Sequence, residues 1–299
     1  MREWIVPDLG LLLDVDGPIA SPVTRSIAIP SIADDLVTLV GAGVPVAFIT
    51  GRSDAFIEQQ VVTPLLERGL GEALQQPGAR MFGVFEKGGS WAAITPAGLA
   101  DVTVDESVAP SDSLMADIRM LVAERFADTM FFDKTKKAMI SVEQRRETEA
   151  SVYLRAQNHF DASAFEVLVD HGIGVYHRER VAPDVNGDVP FRLDSTIIST
   201  DIESVLLDKD RGAQRALEYF AAAGSGQLPR RWRSVGDSRS DYKMADFLHE
   251  AGFDAAHVDV RPSDGVLEKP YPVITEHGAI HDEAGAIFLR HWVRELDLA

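Results

Sequence analysis

Four short stretches of this 299-residue chain place chemically capable side chains where strands would end. In "LLLDVDGP" an apolar run stops at Asp14 and Asp16, one residue apart, so both face the same way if the strand pleat persists. Like charges this close repel each other unless a cation or a shared proton relieves them. A hard divalent cation is the simplest relief, and magnesium suits one or two carboxylates completed by phosphate and water. By itself the stretch also fits two solvated aspartates capping a turn. "SVGDSRSDYKMADF" repeats the arrangement with Asp237 and Asp241, after a short strand and at the start of a helix, where Asp241 also fits an ordinary helix-start residue. Thr50, ending "VPVAFIT", offers a hydroxyl beside a turn at Gly51 whose amides suit an anion. Lys209, in "LLDKDRGAQRAL", puts a cation just before a helix, or a solvated lysine. Each feature is ordinary alone; their common place at strand ends joins oxygen ligands for a cation to donors for an anion.

The elements that must position these residues read as α/β. Gly10 to Asp14 is apolar on both alternating faces, as in a parallel strand covered by helices. "SIADDLVTLVGAG" predicts a helix with Ser31 as its cap and glycines as its stop, and a β-branched strand then runs to Thr50, which makes a right-handed βαβ unit. Residues 53–70 read as helical and 79–98 as short strands and turns punctuated at Glu86 to Gly89. The texture then turns to α+β: helices over Ser111 to Phe126 and Thr148 to Phe160, with strands within 135–144, 165–179 and 195–208. Alternation returns with a helix after Lys209 ended by Gly224, a strand over 231–237, a helix over 241–252, a strand over 255–260 and a last helix over 282–296. The expected architecture is an α/β, Rossmann-like core of residues 1–85 and 204–299, its central parallel sheet flanked by helices, interrupted by an α+β insertion over 86–203. Ligands of such sheets bind at the carboxyl ends of the strands.

Composition narrows the partners. With 29 Lys and Arg against 47 Asp and Glu, the formal net charge is -18, which opposes binding to nucleic acid or anionic lipid. The 45% hydrophobic content supplies one large or two moderate cores. Asp14 interrupts the first apolar run before a signal peptide or span is possible, so the expected address is cytoplasmic. The absence of cysteine excludes disulfides, thiolate catalysis and cysteine-ligated metal, which leaves oxygen or imidazole for any metal. The glycines of "GAGVPV" lead into a strand, the reverse of a dinucleotide loop, and His277 with His281 lack the glutamate of a zinc protease, so both read as packing or surface residues.

Asp14-Val15-Asp16-Gly17, Thr50-Gly51-Arg52, Lys209 and Gly236-Asp237-Ser238-Arg239-Ser240-Asp241 resemble, in order, the four motifs of the haloacid-dehalogenase-like phosphohydrolases. The insertion between the second and third motifs is similar to that of the C2-capped branch, which includes Cof-type, sucrose-phosphate and trehalose-phosphate phosphatases. The resemblance implies Asp14 as a nucleophile that forms an aspartyl phosphate and Asp16 as general acid and then base. It implies Mg2+ held by Asp14, Asp16 through its main-chain carbonyl, Asp237 and Asp241, and phosphoryl oxygens held by Thr50, Gly51 and Lys209. The first motif departs from the common DxDGT by Pro18, which removes a hydroxyl and a backbone donor. The third leaves Arg211, next to Gly212, as a substitute for Lys209.

A C2-type cap implies substrate selection by the insertion, with hinges at Glu86 to Gly89 and near Ser204. Its basic clusters, Lys134, Lys136 and Lys137 in "DKTKK" and His177, Arg178 and Arg180 in "YHRER", supply Lys136, Lys137, Arg178 and Arg180 as candidate substrate contacts, or a solvated face. The resemblance implies a Mg2+-dependent phosphatase of a small phosphorylated metabolite such as a sugar phosphate. A phosphosugar mutase of the phosphomannomutase type, or a non-catalytic phosphosugar-binding module, are the alternatives.

Overall fold

In the computed structural model, which describes residues 7–223 and 227–298, the chain divides into two compact units. The first comprises residues 1–103 and 208–299, the second 104–207.

Nine strands form the sheet of the first unit. They are β1 (Leu9–Leu13), β2 (Val46–Ile49), β3 (Met81–Phe85), β4 (Ser90–Thr95), β5 (Gly98–Leu99), β6 (Thr103–Val104), β13 (Arg231–Gly236), β14 (Asp254–Asp259) and β15 (Val273–Thr275). The order is β15-β14-β13-β1-β2-β3-β4-β5, with β6 on β4. Every pair from β15 to β3 is parallel; β4 and β5 return antiparallel. The helices are α1 (Pro30–Gly41), a broken stretch of α2 (Asp54–Ile57), α3 (Thr63–Glu67) and α4 (Leu70–Ala73), then α7 (Lys209–Ala223), α8 (Tyr242–Glu250) and α9 (His281–Glu295). Leu9, Leu11 and Leu13 pack with Leu36 of α1 and Phe288 of α9, whereas Leu12 packs on the other layer with Ala213 and Phe220 of α7 and Met244 of α8. Each such fully buried side chain is worth roughly 1.5–3 kcal/mol. With both faces of β1 committed to apolar layers, a charge finds room only where the strand ends, at Asp14.

The second unit carries a separate six-stranded sheet, β10-β9-β11-β12-β8-β7. Its strands are β7 (Met130–Phe132), β8 (Ile140–Gln144), β9 (Val175–His177), β10 (Arg180–Ala182), β11 (Phe191–Ser195) and β12 (Ser199–Ser204), and its helices α5 (Asp112–Arg125) and α6 (Ala150–Asp170). Ile140, Val142, Leu193 and Ile202 pack with Leu114 and Ile118 of α5 and Phe160, Ala164 and Leu168 of α6.

Several expectations change. Ser31 is inside the first turn of α1, whose cap is Ile29 followed by Pro30, because proline at the first position needs no amide partner. Residues 165–170, read as strand, continue α6: Phe160, Ala164, Phe165 and Leu168 recur at helical spacing, and no breaker precedes Gly172. The expected stop of α7 at Gly224 lies outside the described residues. The expected boundary at residues 85/86 falls inside the first unit, since β4 pairs antiparallel with β3 from Phe85↔Ser90 onward. Glu86 to Gly88 is therefore the turn of a hairpin and not a junction of units, whereas the stretch near Ser204 runs into the junction at residues 207/208.

Candidate active site

Parallel register brings the predicted residues to one edge. Leu13 pairs with Val235 on one side and Phe48 on the other, so Asp14, Thr50 and Asp237 leave adjacent strands at nearly the same level. The Asp14 N–H still donates to Val235 C=O at 2.9 Å, which fixes the first residue beyond β1. Lys209 is the first residue of α7 rather than a residue ahead of it. Gly212 lets that helix come close, since a Cβ there would lie 2.3 Å from Ile49 Cγ2.

Lys209 Nζ donates to Asp14 Oδ1 at 2.6 Å and to the Ile49 carbonyl oxygen at 2.8 Å, and it forms an ion pair with Asp241 Oδ1 at 2.7 Å. Arg211 does not take this place; its side chain packs beside Gly88. Burial opposes the charge on Lys209, but Asp14 and Asp241 outweigh it and raise the ammonium pKa. Burial first, then the charge of Asp241, pushes the Asp14 carboxyl well above the usual range despite Lys209.

Asp241 does not cap α8 with its side chain. Its Oδ2 instead accepts from the N–H groups of Asp237 at 3.1 Å and Ser238 at 2.9 Å and from Ser238 Oγ at 2.7 Å. Burial pushes Asp241 up, yet Lys209 and these hydrogen bonds win and its pKa is lowered. The carboxylate thus both anchors the loop that presents Asp237 and holds Lys209. Asp237 is pushed up to about 6, by burial first and by Asp241 second. Gly17, at φ +97°, passes where a side chain would meet the Asp237 carboxylate at 2.8 Å, so the first motif loop closes over the fourth only with glycine here.

Asp16 turns away from this group. Arg52 Nε and Nη2 each donate to it at 2.9 Å, a bidentate fork that holds the carboxylate, and the guanidinium lies 4.7 Å over the Phe56 ring. The Asp16 side chain therefore makes no part of the convergent set, which leaves its main-chain carbonyl as its route to a metal. Thr50 is fully buried and its Oγ1 accepts from the Arg52 N–H at 3.1 Å.

Asp14, Asp237 and Asp241 each offer an oxygen, all within 4.8 Å of one another. Three carboxylates against the Lys209 ammonium and the Arg261 guanidinium, 4.0 Å from Asp237, leave a formal excess of one negative charge, as Asp16 is answered by Arg52. An all-oxygen set with that excess fits a hard divalent cation such as magnesium.

Residues without a role in the sequence reading also stand here. Arg52 followed Thr50-Gly51 in the second motif, and a cation directly after an anion-binding turn is the signal that marked it. His281, read as a packing or surface histidine, has Nδ1 3.5 Å from Asp237 Oδ2, and Arg261 is 4.0 Å from the same oxygen. His277 is exposed. The basic residues of the second unit are not brought together: Lys136 and Lys137 lie between β7 and β8 at one edge of its sheet, and Arg178 and Arg180 lie at the β9–β10 hairpin on the other. Arg180 is tied to α6, paired with Glu166 and 3.8 Å over the Phe165 ring.

With this geometry, comparison with solved structures is direct. The C-terminal domain of the C. albicans trehalose-6-phosphate phosphatase superposes with a TM-score of 0.60 at 13% identity, covering 96% of this chain and 93% of that one. A haloacid dehalogenase-like hydrolase from Bacteroides thetaiotaomicron gives 0.53 at 11% identity, covering 95% and 98%. This chain has the haloacid-dehalogenase-like fold. The Plasmodium falciparum IMP-nucleotidase is similar over 94% of this chain and 60% of its own, with a TM-score of 0.52 at 12% identity. No family model matches the sequence, and no curated protein sequence matches it. No helix among the described residues is long and apolar enough to cross a membrane.

Proposed function

We propose that this protein is a phosphohydrolase that cleaves a small phosphate monoester, a sugar phosphate by preference, through an aspartyl phosphate on Asp14. The observation that carries the reading is the convergence of Asp14, Asp237 and Asp241 at the carboxyl edge of a parallel sheet, with a buried lysine bridging Asp14 and Asp241. Structural neighbours named as a trehalose-6-phosphate phosphatase and an IMP-nucleotidase support the substrate class.

In the first step Asp14 attacks phosphorus as the ester P–O bond breaks, and Asp16 gives the leaving alkoxide its proton. A proton on one Asp16 oxygen displaces one of the two Arg52 bonds, while the other keeps the carboxyl in place. In the second step Asp16 takes a proton from water, whose oxygen attacks phosphorus and releases Asp14 as a carboxylate. Thr50 donates its hydroxyl proton to a phosphoryl oxygen, and the Gly51 amide faces the same charge. Lys209 orients Asp14 and favours its charged form against the burial that opposes it. Magnesium bound by Asp14, Asp237, Asp241 and the Asp16 carbonyl would supply charge neutralisation for nucleophile and phosphoryl group. The unit of residues 104–207 is the part that selects the substrate in this reading.

The test is phosphate release from a panel of phosphorylated sugars, sugar acids and nucleotides with magnesium, beside Asp14→Asn. Release from one class, reduced about 10³-fold or more in the variant, is the expected result. Release that survives the substitution would exclude Asp14 as nucleophile.

A further inference from the structure

The Lys209 ammonium pairs with Asp14 and Asp241, and Asp237 is met from other elements. His281 Nδ1, on α9, stands 3.5 Å from its Oδ2, and a guanidinium nitrogen of Arg261, beyond β14, stands 4.0 Å from the same oxygen. Arg261 is the more distant of the two and is also paired with Asp264. His281 Nδ1 is buried and has no hydrogen-bond partner among the described residues. A buried ring nitrogen left without a partner costs stability, and the acceptor nearest to hand is the Asp237 carboxylate.

The backbone is held so as to keep the imidazole there. His281 is the first residue of α9 and has φ +52°, a left-handed conformation uncommon outside glycine that persists where the surroundings impose it. Its N–H donates to the Val260 carbonyl oxygen at 2.8 Å, just beyond β14. One turn further, Gly285 lies so near the loop after β1 that a Cβ would stand 1.9 Å from the Pro18 carbonyl oxygen. The start of α9 is thus seated on the same loop whose Gly17 closes over Asp237, and that seat fixes His281 beside the carboxylate. A carboxylate that binds a cation through one oxygen is oriented by a hydrogen bond to the other. To close the gap from 3.5 Å to an ordinary N–H···O length of about 2.9 Å, the imidazole shifts by about 0.6 Å.

We propose that His281 is a positioning residue of the metal centre: its Nδ1–H donates to Asp237 Oδ2 and leaves Oδ1 to the cation. The inference rests on the phosphohydrolase reading above, in which Asp237 is a ligand of magnesium. His281 acts only through Asp237, which it orients from the start of α9.

Two variants separate the ring nitrogen from the backbone. His281→Gly accepts the left-handed conformation and removes the donor; His281→Asn accepts it as well and carries a side-chain N–H in the place of Nδ1. Binding of magnesium to the full chain without substrate, followed by calorimetry at pH 8, reports the contact without turnover. In His281→Gly the magnesium dissociation constant should rise about 10-fold or more, whereas His281→Asn should bind nearly as the unsubstituted protein does. Unchanged magnesium affinity in His281→Gly, or an equal loss in His281→Asn, would overturn the proposal. Unsubstituted protein that binds no magnesium, or an Asp237→Asn variant that binds it equally well, would instead overturn the metal reading, and this inference with it.

Discussion

Buried carboxylates occur in both units, and they are treated in opposite ways. In the second unit each is answered by its own neighbours. Asp161 of α6 accepts from Ser195 Oγ at 2.8 Å and Thr200 Oγ1 at 2.6 Å, and Glu203 is gripped by Arg192 across the β11–β12 pair. At the carboxyl edge of the first unit, Asp14 and Asp241 share one lysine, Asp237 beside them has Arg261 at 4.0 Å and His281 at 3.5 Å, and among the described residues these three carboxylates alone form such a group. Antiparallel pairing spaces charges along strands where each finds a partner. Parallel strands that end together gather charges without supplying enough partners, which is the condition under which a cation and an anionic substrate become the missing ones.

The largest effect that sharpens this contrast comes from Lys209→Met. It leaves Asp14 and Asp241 buried without their counter-charge, a loss of about 3–5 kcal/mol in metal-free protein by chemical denaturation at pH 8. The loss should shrink as the pH falls, because Asp14, its pKa raised by burial and Asp241, gives up its charge sooner than an ordinary aspartate. Arg192→Met tests the other side. It takes the guanidinium away from Glu203, which is fully buried in the second unit, and should cost about 3 kcal/mol. Magnesium should not restore that loss, because no convergent acidic set lies beside Glu203 among the described residues.

A smaller effect is metal-linked. Asp237 is pushed up to about 6, so its charge destabilises the metal-free fold above pH 6. Stability from this group returns as the pH falls through 6 toward 4, by on the order of 2–3 kcal/mol. Magnesium should therefore raise the melting temperature at pH 8, much less at pH 5, and not at all in Asp237→Asn. An equal rise at both pH values would break the link between the carboxylates and the metal.

The edge was legible in the sequence because parallel β strands bring positions as distant as 14 and 237 to one level. A short apolar run ending in Asp or Thr announces such a place without any contact being known. The fork of Arg52 on Asp16 was not legible, because it depends on where the loop after β1 turns back. The left-handed turn at Glu86 and Lys87 was hidden for a related reason: neither residue type advertises positive φ, and only the bonds to Thr50 and Arg52 impose it. In the second unit, α6 concealed its last six residues in "FEVLVD", whose apolar residues suit a strand or a helix until the preceding face is counted. His281 read as a packing or surface histidine because its approach to Asp237 is made by tertiary packing of α9, which its spacing from His277 does not mark.

The central claim is tested most directly by locating the phosphorylated side chain. The protein is incubated with magnesium and p-nitrophenyl phosphate, quenched in acid and reduced with borohydride, which converts an acyl phosphate to an alcohol, and its peptides are then read by mass spectrometry. Conversion of Asp14 to homoserine, absent without substrate, is the predicted result; phosphate release with Asp14 unaltered and another residue modified would contradict the account.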